Sequence, residues 1–457
     1  MSSIFCEVSK YLMIILFALY TFECFFVFRK KYNKEQRENI FRRQNIWMLL
    51  IHLDGYLVLL DQTENWGILL FYGVQLIFFI SVIISYRLLY EKSAQLLVNN
   101  MCMLMAIGFL ILTRLSIEQA FKQFAIAVAA MIFALGIPFC IKKIRFIRKM
   151  TWVYAVIGLL ALSAVAVMGA VSYGAKLSVT IAGITLQPSE FVKIIFVFFV
   201  AGMLHKSTEF KQVVITTVVA AAHVIVLVLS RDLGGALIFF TVYLVMLYVA
   251  TAKPVYFLGG LAGGSLAALV AYRLFSHVQV RVLAWQDPLS VIDNEGYQIC
   301  QSLFAIGTGG WFGVGLNQGM PEKIPVVEQD FVFSAISEEL GGIFALCLIM
   351  VCMSCFLMFL NIAMQLKDGF YKLVALGLGT TYGFQVFLTI GGVIKFIPST
   401  GVTLPLVSYG GSSLLSTVII FAIIQGFYIL KESEGKLNEK RKTGKRTGVT
   451  QKTGNLR

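Results

Sequence analysis

The residues best suited to chemistry crowd into one stretch, Arg281 to Gly342. Its acidic members are Asp287, Asp293, Glu295, Glu322, Glu328 and Asp330, and Glu338 and Glu339 follow at the head of an apolar run. A carboxylate at a membrane boundary can act as a general base, bind a metal or cap a helix. Any single one also reads plainly as a solvated group or a cap. Gly307, Gly309, Gly310, Gly313, Gly315 and Gly319 allow tight turns and close backbone approach. They are not a phosphate-binding P-loop, because the Lys-Ser/Thr ending is missing.

Three further polar patches interrupt apolar sequence. In Gln187-Pro188-Ser189-Glu190-Phe191-Val192-Lys193, Pro188 suits a first helical turn. Glu190 and Lys193 stand three apart and can pair on one helix face. Lys193 lies inside an apolar run, where a charge is costly unless paired or in a watery cavity. The second patch is the turn Ser230-Arg231-Asp232-Leu233-Gly234-Gly235. The third is 398–413, with Pro398, Gly401, Pro405, Ser408, Tyr409 and Ser412. A Gly/Pro-broken segment before a span often lines a cavity. Arg114 and Lys122 add positive charge that suits a phosphate-bearing ligand.

These patches need elements to hold them. Hydrophobic types make up 58% of the 457 residues and charged types 14%. That excludes a soluble enzyme, a disordered chain or a nucleic-acid-binding domain as the main reading. A span takes about 20 mostly apolar residues. Thirteen candidates follow, at 11–28, 45–62, 68–86, 97–113, 124–141, 151–171, 191–205, 212–230, 234–250, 255–274, 331–361, 372–393 and 413–430. The expected fold is an all-α polytopic membrane protein of about 13 transmembrane helices. A large extracellular loop, about 275–330, falls between helices 10 and 11. The first apolar run does not read as a signal peptide, because its charge cluster follows the apolar core.

The net charge of +14 is then mostly a topology signal. Arg29, Lys30, Lys31, Lys34, Arg37, Arg42 and Arg43 fill one loop, and Lys142, Lys143, Arg145, Arg148 and Lys149 another. The polar tail 431–457 carries nine basic residues against three acidic ones. With thirteen spans all three fall on one side, the cytoplasm. The N-terminus is then outside and the C-terminus inside. The segments 172–190, 229–234, 275–330 and 394–412 face outward, and the tail is expected to be disordered. The eight cysteines read as packing residues, including the Cys352/Cys355 pair within an apolar run.

Taken together, QPSEFVK (187–193), RDLGGAL (231–237), GYQICQSLFAIGTGGWFGVGL (296–316), DFVFSAISEELG (330–341) and STGVTLPLVSYGGSS (399–413) resemble the SEDS (shape, elongation, division and sporulation) family of FtsW/RodA/SpoVE-like proteins. The resemblance covers about 97–430, a ten-helix core. It leaves 1–96 as an N-terminal extension of three helices and 431–457 as a cytoplasmic tail. It implies a peptidoglycan glycosyltransferase in the bacterial cytoplasmic membrane. Such an enzyme polymerises Lipid II, an undecaprenyl-pyrophosphate-linked disaccharide peptide, on the outer face. It works with a class B penicillin-binding protein and with other membrane proteins of elongation or division complexes. A divalent cation, Mg or Mn, is a candidate cofactor. The family's usual catalytic aspartate, five residues before Gly296, corresponds here to Val291. Asp293, then Asp287, are the candidate bases. Arg114, Lys122, Gln187, Glu190, Lys193, Asp232, Gln301, Glu328, Asp330, Glu338, Ser408 and Ser412 are the candidate substrate-binding set. A second departure is at Gly174-Ala175-Lys176-Leu177-Ser178, where relatives often place a Trp near Ser178. Two rival functions remain from the sequence: a non-catalytic scaffold that activates the penicillin-binding protein, and a flippase for the lipid-linked precursor.

Overall fold

The computed structural model describes residues 2–29, 33–143, 148–168, 170–172, 175–181 and 184–453. Lys30 and Lys31, Arg145, Gly174 and the last four residues lie outside the described residues. Fifteen α-helices run α1 Ser2–Phe26, α2 Lys34–Thr63, α3 Trp66–Leu89, α4 Gln95–Leu115, α5 Ile117–Lys143, α6 Thr151–Met168, α7 Pro188–Lys206, α8 Phe210–Leu229, α9 Leu233–Thr251, α10 Pro254–Leu274, α11 Ser276–Gln286, α12 Tyr297–Gly309, α13 Val332–Gln365, α14 Gly369–Val393 and α15 Gly411–Thr453.

Each of the thirteen expected spans falls on a helix, although α6 stops at Met168 and the end of the expected span 151–171 lies in β1. Eleven are long and apolar enough to cross a membrane. α6 is apolar but shorter, and α2 is long but more polar. α2 hides its polar groups inward: Gln44, His52 and Asp54 are buried. The chain is a multi-pass membrane protein. Helix starts follow their chemistry. Pro188 and Pro254 open α7 and α10, where the missing N–H costs nothing. Asp232 and Asp368 cap α9 and α14 by accepting backbone N–H bonds.

α4 is the axis of the bundle, with its apolar window wholly buried. α2, α5 and α13 pack on it. α1 lies against α2 and α13, with Phe17 and Phe344 rings 4.4 Å apart. α5 pairs with α15, and α7 is enclosed by α6, α9, α14 and α15. α10 touches mainly α9 and contributes no buried residue.

Three features differ from expectation. The expected loop 275–330 is not irregular throughout, since α11 and α12 occupy part of it. Between α6 and α7, strands β1 Ala170–Ser172, β2 Ala175–Ile181 and β3 Ile184–Leu186 form an antiparallel meander in the order β1-β2-β3. Ser178 pairs with Ala170, and Val179 with Leu186. Val179, Thr180, Ile181, Ile184 and Thr185 favour strand through their branched β-carbons. Finally, the tail expected to be disordered continues α15 as far as Thr453. Its Lys, Glu and Arg are good helix formers.

Candidate active site

Seven of the fourteen candidate residues gather at one end of the bundle, around the extended segment 398–410. Lys193, buried in the second turn of α7, sends Nζ to Glu190 Oε2 (2.6 Å) and to Gln385 Oε1 on α14 (2.7 Å). Ser416 Oγ on α15 donates to the same Glu190 oxygen at 2.7 Å. Gln385 Nε2 reaches Thr403 O (3.1 Å) and Ser413 Oγ (3.3 Å). One buried charge thus ties three helices to the segment. Each partner is satisfied, which is the condition for keeping a charge in an apolar bundle.

The segment itself is held by side chains. Ser408 Oγ accepts from Leu404 N at 2.9 Å, and Ser412 Oγ accepts from Gln187 N at 3.0 Å. Gln123 on α5 donates to Ser408 O and accepts from Gly410 N, both at 3.1 Å. Ser408 and Ser412 therefore shape the cleft wall.

A polar cavity of about 40 Å³ opens beside this network. Gln187, Ser189, Glu190, Lys193, Asp232, Gly401 and Thr403 are among its lining residues. Asp232 Oδ1 accepts from Gly235 N at 2.8 Å. Burial raises the Asp232 pKa above the usual carboxylate range; the Gly235 bond opposes the shift and the Glu190 charge adds to it. Beyond Gly401 stand Arg281 on α11 and Asp330. Arg281 Nη1 donates to Ser399 O at 3.2 Å. Burial lowers the Arg281 pKa, opposed by the charges of Asp330 and Asp232. Burial pushes Asp330 up to about 6; Arg281 pulls it back and Glu328 adds to the rise. The arrangement mixes both signs: Glu190, Lys193 and Asp232 line the cavity, and Arg281 and Asp330 stand beyond Gly401. It can bind a polar, anionic group and move a proton.

A second cluster surrounds a break in α13. Gly341 has φ +87°, outside helical geometry. The backbone groups freed there pair with 310–315: Val314 N with Glu338 O (3.0 Å), Gly315 N with Glu339 O (2.9 Å) and Gly342 N with Gly310 O (2.8 Å). Arg114 Nε donates to Glu339 Oε1 at 2.9 Å, and Arg114 Nη2 to Gly319 O at 3.2 Å. Glu338 Oε1 accepts from Met320 N at 3.1 Å.

The remaining candidates sit apart from the cavity. Lys122 is exposed and pairs with Glu118 at 2.6 Å on its own helix. Glu328 accepts from Gln119 at 3.1 Å. Gln301 is half-buried on α12. Asp293 is exposed, and Asp287, also exposed, accepts from Ser290 N at 3.3 Å. Val291 is half-buried, and its carbonyl accepts from Gly296 N (2.9 Å) and Asn294 N (3.1 Å). The sequence reading missed Arg281 and Gln385. A polar glutamine in the middle of an otherwise apolar span was the available signal for Gln385.

No three His, Cys, Asp or Glu side chains converge among the described residues. Asp232 caps a helix and Glu190 is taken by Lys193 and Ser416. This donor set does not fit a resident divalent cation.

The model of the FtsW/RodA/SpoVE family, described as cell cycle protein, matches residues 67–430. The chain belongs to that family. The match begins with α3, which the motif reading had placed in the N-terminal addition. A peptidoglycan glycosyltransferase RodA of Mycobacterium tuberculosis is 37% identical over 328 residues, 68% of this chain and 69% of that protein. Stage V sporulation protein E of Bacillus subtilis is 32% identical over 276 residues, 58% of this chain and 74% of that protein. Two solved structures share the fold. One is a chain described under "Structural coordination of polymerization and crosslinking by a peptidoglycan synthase complex", with TM-score 0.62, 24% identity, and 73% of this chain and 97% of that one covered. The other is RodA of Thermus thermophilus, with TM-score 0.55, 22% identity, and 74% and 97% covered.

Proposed function

We propose that this protein is a peptidoglycan glycosyltransferase that polymerises Lipid II on the outer face of the bacterial cytoplasmic membrane. The observation that carries the reading is the mixed-charge cleft beneath 398–413, inside the region matched by the family. The basic loops and tail support a cytoplasmic C-terminus and an outward cleft. The Mycobacterium tuberculosis relative is named a peptidoglycan glycosyltransferase. A class B penicillin-binding protein is the proposed partner, in line with a solved relative from a complex that coordinates polymerisation with crosslinking.

The reaction forms a bond between a sugar hydroxyl oxygen and the anomeric carbon of a second disaccharide. The bond from that carbon to the pyrophosphate oxygen breaks, and the electron pair leaves with undecaprenyl pyrophosphate. A carboxylate of the outer segment takes the hydroxyl proton. Asp293 and Asp287 are the candidates nearest Val291 in sequence. Fixed cations beside the cleft can stabilise the developing phosphate charge. No step is routed through a metal.

The scaffold reading has one observation in its favour. Val291 cannot accept a proton, and its backbone is committed to the turn that leads into α12. One experiment separates the two readings. Purified full-length protein is given Lipid II, with and without its class B partner. Glycan strands from the protein are the expected result. Partner activation with no glycan, and glycan restored by Val291→Asp, would replace the polymerase with the scaffold.

A further inference from the structure

This inference rests on the polymerase reading and names its base. A general base must offer a carboxylate oxygen within about 2.6–3.2 Å of the hydroxyl it deprotonates. Most carboxylates at this end of the bundle are already occupied. Glu190 holds Lys193 and Ser416. Glu339 and Glu322 face Arg114. Glu328 accepts from Gln119. Asp232 caps α9 and Asp287 caps a turn. Asp293 and Glu295 are exposed.

Asp330 differs from all of these. Among the described residues nothing hydrogen-bonds its carboxylate, and no cation lies within ion-pair distance of it. Yet it is half-buried and faces the Arg281 charge. Access comes through Gly401, an exposed glycine at φ +71°. A Cβ there would lie 3.5 Å from Asp330 Oδ2 and 4.0 Å from Arg281 Nη2. With glycine, that space between carboxylate and guanidinium is open.

We propose that Asp330 is the general base of glycan polymerisation and that Arg281 is its positioning residue, with Gly401 leaving room for the acceptor hydroxyl. The hydroxyl proton passes to Asp330 as the new C–O bond forms. The bond to pyrophosphate breaks with its electron pair on the leaving oxygen. Asp330 returns the proton to water after the strand advances.

The charges around it set the working pH. Arg281 of α11 lowers the Asp330 pKa and Glu328 raises it, beneath a larger rise from burial, giving about 6. Asp232 faces Arg281 from the start of α9, and His277 of α11 has its pKa lowered by burial and by Arg231 and Arg281. The base form is the carboxylate, so activity falls as pH drops through about 6.

The test is the initial rate of polymerisation by the full-length protein with its class B partner and Lipid II, from pH 5 to 8. Asp330→Asn is expected to lower the rate by roughly 10²–10⁴-fold, the usual share of a general base, with melting temperature and Lipid II binding unchanged. Asp330→Glu is expected to restore part of the rate, with its acid limb moved. Arg281→Gln is expected to raise the pH of that limb, a readout that a merely structural role would not move. A wild-type profile flat through pH 6 overturns the assignment, whether or not Asp330→Asn folds. So does Asp330→Asn activity at the wild-type rate, or rescue of an inactive wild type by Val291→Asp. Wild type without glycan under every condition removes the polymerase reading itself.

Discussion

Lys193 is a buried cation and Arg114 a half-buried one near the same end of the bundle, and each meets a glutamate. Their surroundings part from there. Arg114 closes a structural joint. Its guanidinium binds Glu339 and Gly319 O, and the broken backbone of α13 is re-paired with 310–315. Lys193 sits at the floor of a cavity. Its pair with Glu190 is linked to Asp232, Arg281 and Asp330 by charge rather than by a closed set of bonds. The same ion-pair chemistry serves to seal in one place and to keep a polar space open in the other. Irregular backbone within a membrane protein is tolerated only when its polar groups find partners or line a cavity. The two regions show one case each.

The largest effect that would break this contrast lies at Lys193. Lys193→Met leaves Glu190 buried without its cation, and Glu190→Gln strands Lys193 in the same way. Breaking a buried pair by removing one partner costs about 3–5 kcal/mol. Each single variant is expected to lose folded protein in a thermal melt. The double variant is expected to recover stability but not polymerisation. Single variants that melt like wild type would show that the pair is not held in an apolar site.

The sealed joint gives the next effect. Gly341→Ala forces a side chain into φ +87° and sets its Cβ against Gly313 N and 2.6 Å from Trp311 O. The backbone strain alone is worth about 1–3 kcal/mol. Stability and activity should fall together, because the joint carries no chemistry of its own. A variant with wild-type melting temperature and no activity would move the catalytic role to this joint.

Much of this arrangement was legible before any coordinates. Lys193 announced itself, because a charge inside an apolar run must be paired or solvated. Gly401 and the prolines of 398–413 marked broken backbone beside a span. Eleven of the thirteen expected spans followed from apolar length alone. What remained hidden depends on contacts distant in sequence. Nothing local shows that Arg281 faces Asp330, since each reads as an ordinary polar loop residue. Gln385 acquires its role only when α14 packs on α7. The N-terminal addition is a similar case. Its Lys10 reaches Gly313 O at 3.4 Å and its Cys6 thiol reaches Leu316 O at 3.5 Å, so α1 braces the loop that re-pairs α13. The meander 170–186 was missed because its strands are short and fall where a plain outer loop was expected.

The smallest effect sharpens the contrast at Asp232, which belongs to both worlds. It caps α9 through Gly235 N and lines the cavity. Loss of a helix cap costs about 1 kcal/mol. Asp232→Ala should therefore lower the melting temperature modestly and change activity as well. Asp232→Asn keeps an oxygen that can accept from Gly235 N but removes the negative charge near Arg281 and Glu190. It is expected to melt like wild type. Its activity should then report the charge alone, through a shift of the acid limb toward lower pH as Arg281 acts on Asp330 without a competing carboxylate. If Asp232→Asn and Asp232→Ala lose activity only in proportion to stability, Asp232 is a cap and the cavity chemistry ends at Asp330 and Arg281.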